Sequence, residues 1–192
     1  MKKILVAILL FLFAVPVFAT IQFNISPSFN LFSDKRITGQ SIAFSILFDL
    51  GDMKAGLLSE GGDYTVTNEA NSVNYFFSTV SMKGVRFQRD VVALKDVASA
   101  AIGLDIGTAN IFGLAGSVAV PAGFNQMSPF VDLLGNIVYT PKSSSKVNSS
   151  IFLNIGYRVL DIMDVAIPFG AGTRSLADMN SWFAAIGAGI EF

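Results

Sequence analysis

The stretch WFAAIGAGIEF, residues 182–192, ends the chain and decides its fold. Alternate residues form one entirely apolar face and one face of mostly small residues that ends at Glu191, which is the two-residue period of a β-strand. Terminal residues of a soluble domain usually fray, so a strand that ends on an aromatic residue indicates a sheet closed on itself. The first face carries Trp182, Ala184, Ile186, Ala188, Ile190 and Phe192.

The same stretch resembles the C-terminal assembly signal of bacterial outer-membrane β-barrel proteins. In that pattern a polar residue is followed two positions later by glycine, and apolar residues stand third from last and last. Gly187, Ile190 and Phe192 fill three of these places, and Ala185 stands where the pattern has a polar residue. The resemblance implies an integral protein of the bacterial outer membrane, with membrane lipid around it and the barrel-assembly machinery as its partner during biogenesis.

The first 19 residues predict a secretory signal peptide. Two lysines give a basic start, an apolar run follows, and a small-residue site ends at Ala19. A transmembrane anchor is the alternative, but the apolar run is short and contains Pro16. We place cleavage between Ala19 and Thr20, which leaves residues 20–192 as a single barrel domain.

Composition favours a membrane barrel over other membrane proteins. Hydrophobic residues make up 52% of the chain and charged residues 14%, against about a quarter charged in a typical soluble domain. After the signal peptide no run of about eighteen apolar residues exists, as a membrane-spanning helix would need. A barrel spreads its apolar surface over alternating positions, so it can be apolar overall without such a run.

The absent residue types restrict the chemistry. The chain has no cysteine and no histidine, which excludes a lipidated N-terminus, disulfides, and metal sites of the His or Cys type. Outer-membrane barrel enzymes, as families, use a histidine as base or partner, so we predict a non-enzyme without a cofactor. Glu60 and Asp63 fall in a polar segment and are interpreted as solvated loop charges. The formal net charge of −1 gives no reason to expect nucleic-acid binding.

Alternating segments recur along the chain and predict an all-β, antiparallel, up-and-down transmembrane barrel of 8–10 strands. Ten is favoured, and eight results if residues 53–82 form one long excursion; both satisfy the even strand number of bacterial barrels. Residues 83–98 predict a short helix or an irregular turn. A buried helix is the alternative for 111–120, against which the Gly, Val and Pro121 content argues. The ten candidate strands are 21–31, 41–50, 53–58, 72–82, 99–106, 111–120, 131–140, 151–159, 165–170 and 182–192.

Two positions in these strands predict local irregularities. Pro27 lacks a backbone N–H, so it marks a bulge or a weak pairing point. Phe76-Phe77 breaks the alternation of its strand and predicts a bulge. Gly51-Asp52 predicts a type II′ hairpin turn, because glycine at the first turn position tolerates a positive φ.

The polar faces of the strands predict a mixed lumen. If Tyr139 pairs with Ile151 in the hairpin around residues 141–148, Asp132 falls opposite Arg158, and we predict that these two form a contact inside the barrel. Small inward residues at Gly113, Ala115, Gly187 and Gly189 leave room for a narrow passage. The polar residues predicted to face the lumen are Gln22, Asn24, Asn30, Asp49, Asp105, Asp132, Asn136, Asn154, Arg158 and Glu191.

The outer surface predicts aromatic girdles where the barrel meets the two membrane interfaces. Loops 32–39, 59–71, 141–148 and 171–180 are candidates for contact with a surface or host ligand. The candidate girdle residues are Tyr75, Tyr139, Tyr157, Phe169 and Trp182.

Periodicity over residues 20–192 resembles the broad class of OmpA-type, OmpX-type and OmpW-type proteins. That resemblance implies a role in envelope structure, in surface interaction, or in porin-like passage of small molecules. The competing class is a soluble secreted barrel that binds an apolar ligand inside, as lipocalin-like proteins do, with the apolar face inward. A conducting pore is the third possibility and differs from the first only in the lumen.

Overall fold

The computed structural model describes residues 20–68, 73–94, 97–115, 124–141, 147–160, 166–169, 173–176 and 178–192. The predicted signal peptide and Ala19 lie outside them. Within the described residues no helix is long and apolar enough to cross a membrane. The strands are β1 (Ile21–Phe32), β2 (Ile37–Asp49), β3 (Met53–Asn68), β4 (Val73–Leu94), β5 (Ala98–Ala115), β6 (Phe124–Tyr139), β7 (Asn148–Val159), β8 (Ala166–Phe169), β9 (Thr173–Leu176) and β10 (Ser181–Glu191).

Eight of these strands form a closed antiparallel barrel in the order β1-β10-β7-β6-β5-β4-β3-β2. The prediction of an antiparallel barrel is confirmed, and the favoured strand number of ten is wrong. Segment 99–106 and the described part of segment 111–120 form one strand, β5, and β8 pairs with β9 in a separate two-stranded sheet. The polar residues between the two segments continue the ladder, as the pairing of Thr108 with Pro129 shows.

The hydrogen-bond register determines how far the strands tilt from the barrel axis. Following cross-strand partners once around the barrel leads from Gln22 to Phe32, ten positions further along β1 (32 − 22 = 10). A shear of this size in an eight-stranded barrel tilts the strands by about 40°. The successive partners are Gln22, Leu47, Gly56, Arg86, Asp105, Asp132, Arg158, Ser181 and Phe32.

The apolar face of each strand points outward. In β1, Phe29 is 66% exposed, whereas its neighbours Ser28 and Asn30 are buried at 4% and 7%. A soluble barrel with an apolar interior requires the opposite orientation, so that alternative is wrong for this chain. Large exposed hydrophobic residues recur on the outer wall at Phe23, Ile25, Phe44, Leu57, Ile102, Ile106, Leu133, Ile137, Ile155, Trp182, Ile186 and Ile190.

The β3–β4 hairpin is longer than predicted. Residues 83–94 continue β4 rather than forming a helix or turn, and residues 53–68 form one strand rather than an excursion. Residues 124–129, which fall between the predicted strands 111–120 and 131–140, begin β6. The register between β3 and β4 shifts beside Val66, which pairs with Phe76, while Thr67 pairs with Asn74. The irregularity therefore leaves Tyr75 as the extra residue, next to the predicted Phe76-Phe77 position.

The predicted turn at Gly51 and the predicted weak pairing at Pro27 are both present. Gly51 has a φ of +92° in the turn between β2 and β3, as a type II′ turn requires. The pairing of β1 with β10 passes from Ile25–Ala188 to Ser28–Ala185 and skips Pro27, while Pro27 still pairs with Ile42 of β2. The missing N–H of Pro27 therefore weakens the seam that closes the barrel.

Candidate functional site in the barrel lumen

A buried charge cluster crosses the lumen at Arg158 of β7. Its guanidinium donates to both oxygens of Asp132 on β6 at 2.9 and 2.6 Å, and to both oxygens of Glu60 on β3 at 2.8 Å each. Arg158, Asp132 and Glu60 are 3%, 0% and 4% exposed. The contact expected between Asp132 and Arg158 is present, with these residues directly paired.

Four charged residues of the cluster stand side by side on neighbouring strands, in the order Arg86, Asp105, Asp132 and Arg158. The two aspartates are direct partners, and like charges in that position are destabilising. Each aspartate is compensated from its other side, because Arg86 donates to Asp105 at 2.8 and 2.7 Å and Arg158 donates to Asp132. The two adjacent aspartates are therefore tolerated because each one is bound to its own arginine.

Polar side chains extend the cluster across the barrel to β1. Asn30 donates to the hydroxyl of Ser41 at 3.3 Å, and Ser41 donates to Glu60 at 2.6 Å. Glu60 is the central residue that the sequence interpretation missed, since it lies in β3 and is buried rather than solvated in a loop. A polar segment around it, including Gly61, Gly62 and Asp63, hid the strand from periodicity.

Aromatic rings fill the space over inward-facing glycines. Gly156 pairs with Phe183, and a methyl group built on Gly156 would lie 2.5 Å from the Phe183 ring. Gly187 likewise pairs with Phe152. The Phe152 ring therefore covers Gly187, a position that was predicted to leave open space in the lumen. The four glycine–aromatic pairs are Gly39–Tyr64, Gly107–Phe130, Gly156–Phe183 and Gly187–Phe152.

Two of these rings flank the charge cluster. The Arg158 guanidinium carbon lies 5.7 Å from the Phe130 ring centroid and 5.2 Å from that of Phe183, within cation–π distance. The rings exclude water from the ion pairs, and the ion pairs bridge opposite walls of the barrel. The middle of the lumen is therefore occupied by side chains.

An apolar layer covers the cluster at the end of the barrel away from the termini. Leu160 and Met179, at the two ends of the long segment before β10, are 2% and 1% exposed in this layer. The Leu160 N–H donates to the Asn180 side chain at 3.0 Å, which joins the end of β7 to the residues just before β10. The layer comprises Ile37, Tyr64, Val80, Met82, Ala109, Ile111, Phe130, Leu160 and Met179.

Other residues that were predicted to face the lumen lie nearer the end of the barrel that carries the termini. Asn136 donates to Asn154, both buried on paired strands. Glu191 lies 3.8 Å from the Lys54 ammonium at the rim. In the described part of the chain, no group of three or more carboxylate, His or Cys side chains is arranged to hold a metal ion. Every carboxylate of the central cluster accepts from an arginine, which leaves no free base there.

The aromatic residues expected at the interfaces are distributed unevenly. Tyr157 and Trp182 meet edge to face on the outer wall, with ring centroids 5.1 Å apart. Tyr139 is 49% exposed at the other end of the barrel. Phe169 lies in β8, which is not one of the eight strands of the barrel. The side chains of Tyr75 and Phe169 lie outside the described residues.

The connection between β6 and β7 lies at the end of the barrel that carries both termini, because strands alternate in direction. The predicted surface loop 141–148 is therefore at the opposite end from 32–39. The predicted turn 161–164, and residues 142–146, 170–172 and 177, lie outside the described residues.

Comparison with known proteins supports the architecture. No protein-family model and no curated protein sequence matches the chain. Among solved structures, the outer membrane protein OprG from Pseudomonas aeruginosa matches with a TM-score of 0.56 at 9% identity, covering 91% of this chain and 96% of OprG. Neisserial surface protein A matches with a TM-score of 0.55 at 11% identity, covering 90% of this chain and 95% of the other.

The chain therefore has the fold of the small outer-membrane β-barrel proteins. Within that class it is an eight-stranded barrel with a shear of ten, in which a charge cluster, aromatic rings and an apolar layer occupy the lumen.

Proposed function

We propose that the protein is an integral outer-membrane barrel that does not conduct, and that holds a polar outer end available for surface interaction. The occupied lumen carries this proposal. Arg158 bridges β3, β6 and β7 across the interior, and the apolar layer lies above it. A water-filled channel of useful width requires far more strands than eight, whose interior is only wide enough for side chains.

The unequal strand lengths support the proposal that one end of the barrel projects from the membrane. β4 has 22 residues and β5 has 18, against 12 for β1. About 10 residues per strand suffice for a tilted membrane crossing, so the longer strands extend well past the hydrocarbon. Polar outward residues such as Gln40 and Lys83 mark that extension, away from both termini. This end is the surface we assign to contact with a surface or host ligand.

The exposure of residues near the end of β10 supports the proposal that the barrel-assembly machinery recognises this strand during insertion. Ile190 and Phe192 are 47% and 62% exposed on the outer wall, and Phe192 meets Phe23 edge to face at 6.1 Å. Ile190 and Phe192 thus lie on the outward face of β10, where the barrel-assembly machinery would bind them, and Gly187 lies on the inward face of the same strand. The role we propose is non-catalytic, because each carboxylate of the buried cluster is bound to an arginine.

Cell fractionation and electrical recording test the proposal together. We expect the protein in the outer-membrane fraction, with faster migration on SDS gels when unheated than when boiled. Purified barrel in a planar bilayer should show no reproducible conductance steps, with a trimeric porin in the same bilayer as the positive control. Release into the soluble periplasm without a heat shift would contradict the membrane assignment. Reproducible steps from the folded barrel would contradict the closed lumen.

A further inference from the structure

An apolar groove crosses the outer wall of the barrel over Gly135. It has a volume of about 680 Å³, within the range of small-molecule sites. Gly135 faces outward, and a methyl group built on it would meet nothing closer than a backbone oxygen at 3.9 Å. The walls are the exposed side chains of Phe87, Ile102, Leu133, Ile155 and Trp182.

A single charged residue, Arg89, lines this groove. Arg89 lies in β4 opposite Met53, the first residue after the turn that joins β2 and β3. That turn lies at the end of the barrel that carries the termini, so the cation marks the inner rim of the groove. Arg89 is exposed, and in the part of the chain that the structure describes no carboxylate forms an ion pair with it.

We propose that this groove binds one phospholipid of the inner leaflet, with an acyl chain over Gly135 and the phosphate on Arg89. The charge pattern identifies the occupant: one cation at the rim of an otherwise apolar groove matches an amphiphile with one anionic head and an apolar tail. An arginine fork binds phosphate oxygens in pairs, which distinguishes this contact from general membrane solvation. The inference rests on the proposed membrane location.

Native mass spectrometry of the full barrel, released from nanodiscs of phosphatidylethanolamine and phosphatidylglycerol in equal parts, tests the site. We expect the wild type to retain one phospholipid. Arg89→Gln should weaken that retention about tenfold, since it removes a charge-assisted hydrogen bond. Gly135→Leu should abolish it by filling the groove. Two matched variants, Lys83→Gln and Gly61→Leu, change an outward cation and an outward open glycine elsewhere and should retain the lipid.

The outcomes separate this site from the membrane assignment. Wild-type protein that fails to insert into nanodiscs overturns both. A barrel that inserts and shows the heat shift, but retains no lipid or retains it equally in Arg89→Gln, overturns the phospholipid site alone. A dimer mass that disappears in Gly135→Leu, without dependence on Arg89, assigns the groove to a second copy of the chain and also overturns it.

Discussion

Arg158 and Glu60 lie 98 positions apart in the chain and meet across the lumen through two hydrogen bonds of 2.8 Å. Their contact joins β7 to β3, which are not neighbours in the barrel wall. Wall strands are otherwise held by backbone ladders to their neighbours. The pair therefore adds a brace across the interior, between strands that share no backbone ladder.

Removing the central cation should destabilise the barrel strongly. Arg158→Met leaves Glu60 and Asp132 buried without a counterion, and breaking a buried ion pair from one side costs about 3–5 kcal/mol. Urea unfolding in lipid vesicles measures the loss, with the fluorescence of the single, outward-facing Trp182 as the probe. Lys35→Met, in the exposed turn after β1, is the matched control and should stay within about 0.5 kcal/mol. An unchanged midpoint for Arg158→Met would show that the cluster is not a brace.

Replacing Glu60, Asp132 and Arg158 together should destabilise the barrel less than replacing Arg158 alone. Well-packed apolar residues in place of a buried ion pair are often neutral or better. The combined variant Glu60→Met, Asp132→Leu and Arg158→Met should therefore recover most of the stability lost in Arg158→Met alone, measured by the same unfolding assay. A triple variant less stable than the single one would indicate that each charge contributes independently.

The glycine–aromatic pairs should be sensitive to one added methyl group. Gly156→Ala places a carbon 2.5 Å from both the Phe183 ring and the Leu133 backbone oxygen, so side chain and backbone must shift, and overpacking of this kind costs about 1–3 kcal/mol. Gly135→Ala, on the outward face of the neighbouring strand, is the control and should change stability by less than about 0.5 kcal/mol. Equal effects of the two substitutions would mean that the ring does not need the glycine.

The short outer turn should show a local pH dependence. Arg36 donates to the Asp34 side chain at 2.9 and 2.6 Å, and this hydrogen bonding lowers the pKa of Asp34 below its usual value. A lowered pKa means that the contact stabilises the fold above the ordinary aspartate pKa and is lost as the pH falls through the lowered one. Arg36→Gln should raise the pKa of Asp34, measured by NMR titration, whereas Lys35→Gln should not. A titration of Asp34 indifferent to Arg36 would contradict this contact.

Periodicity predicted the parts of the fold where one face meets lipid. β1, β7 and β10 alternate cleanly because nearly all outward residues there are apolar, and one hairpin register was enough to place Asp132 beside Arg158. The same rule failed where strands rise above the apolar belt. In that part of β5 the outward residues Thr108 and Asn110 are polar and the inward residue Ala109 is buried, so the expected apolar outward face is interrupted and one strand was interpreted as two.

The centre of the site escaped prediction for a different physical reason. Glu60 meets its partner through the lumen rather than along the wall, and no local register relates β3 to β7. The inward Gly187 was interpreted as space, because a sequence does not show that the Phe152 ring of the neighbouring strand lies over it. The contact between Glu60 and Arg158 depends on closure, which sets distances between residues that are remote in the chain.

The seam between β1 and β10 has a consequence for the order of synthesis. Ile21 and Phe192 exchange backbone hydrogen bonds of 3.3 and 3.1 Å, so β1 gains its second partner only after β10 has been made. Until then the incomplete sheet has two unpaired edges, which invite aggregation, and contacts this distant in sequence form slowly. The interval between the synthesis of β1 and that of β10 is therefore the period in which the chain is most exposed to aggregation.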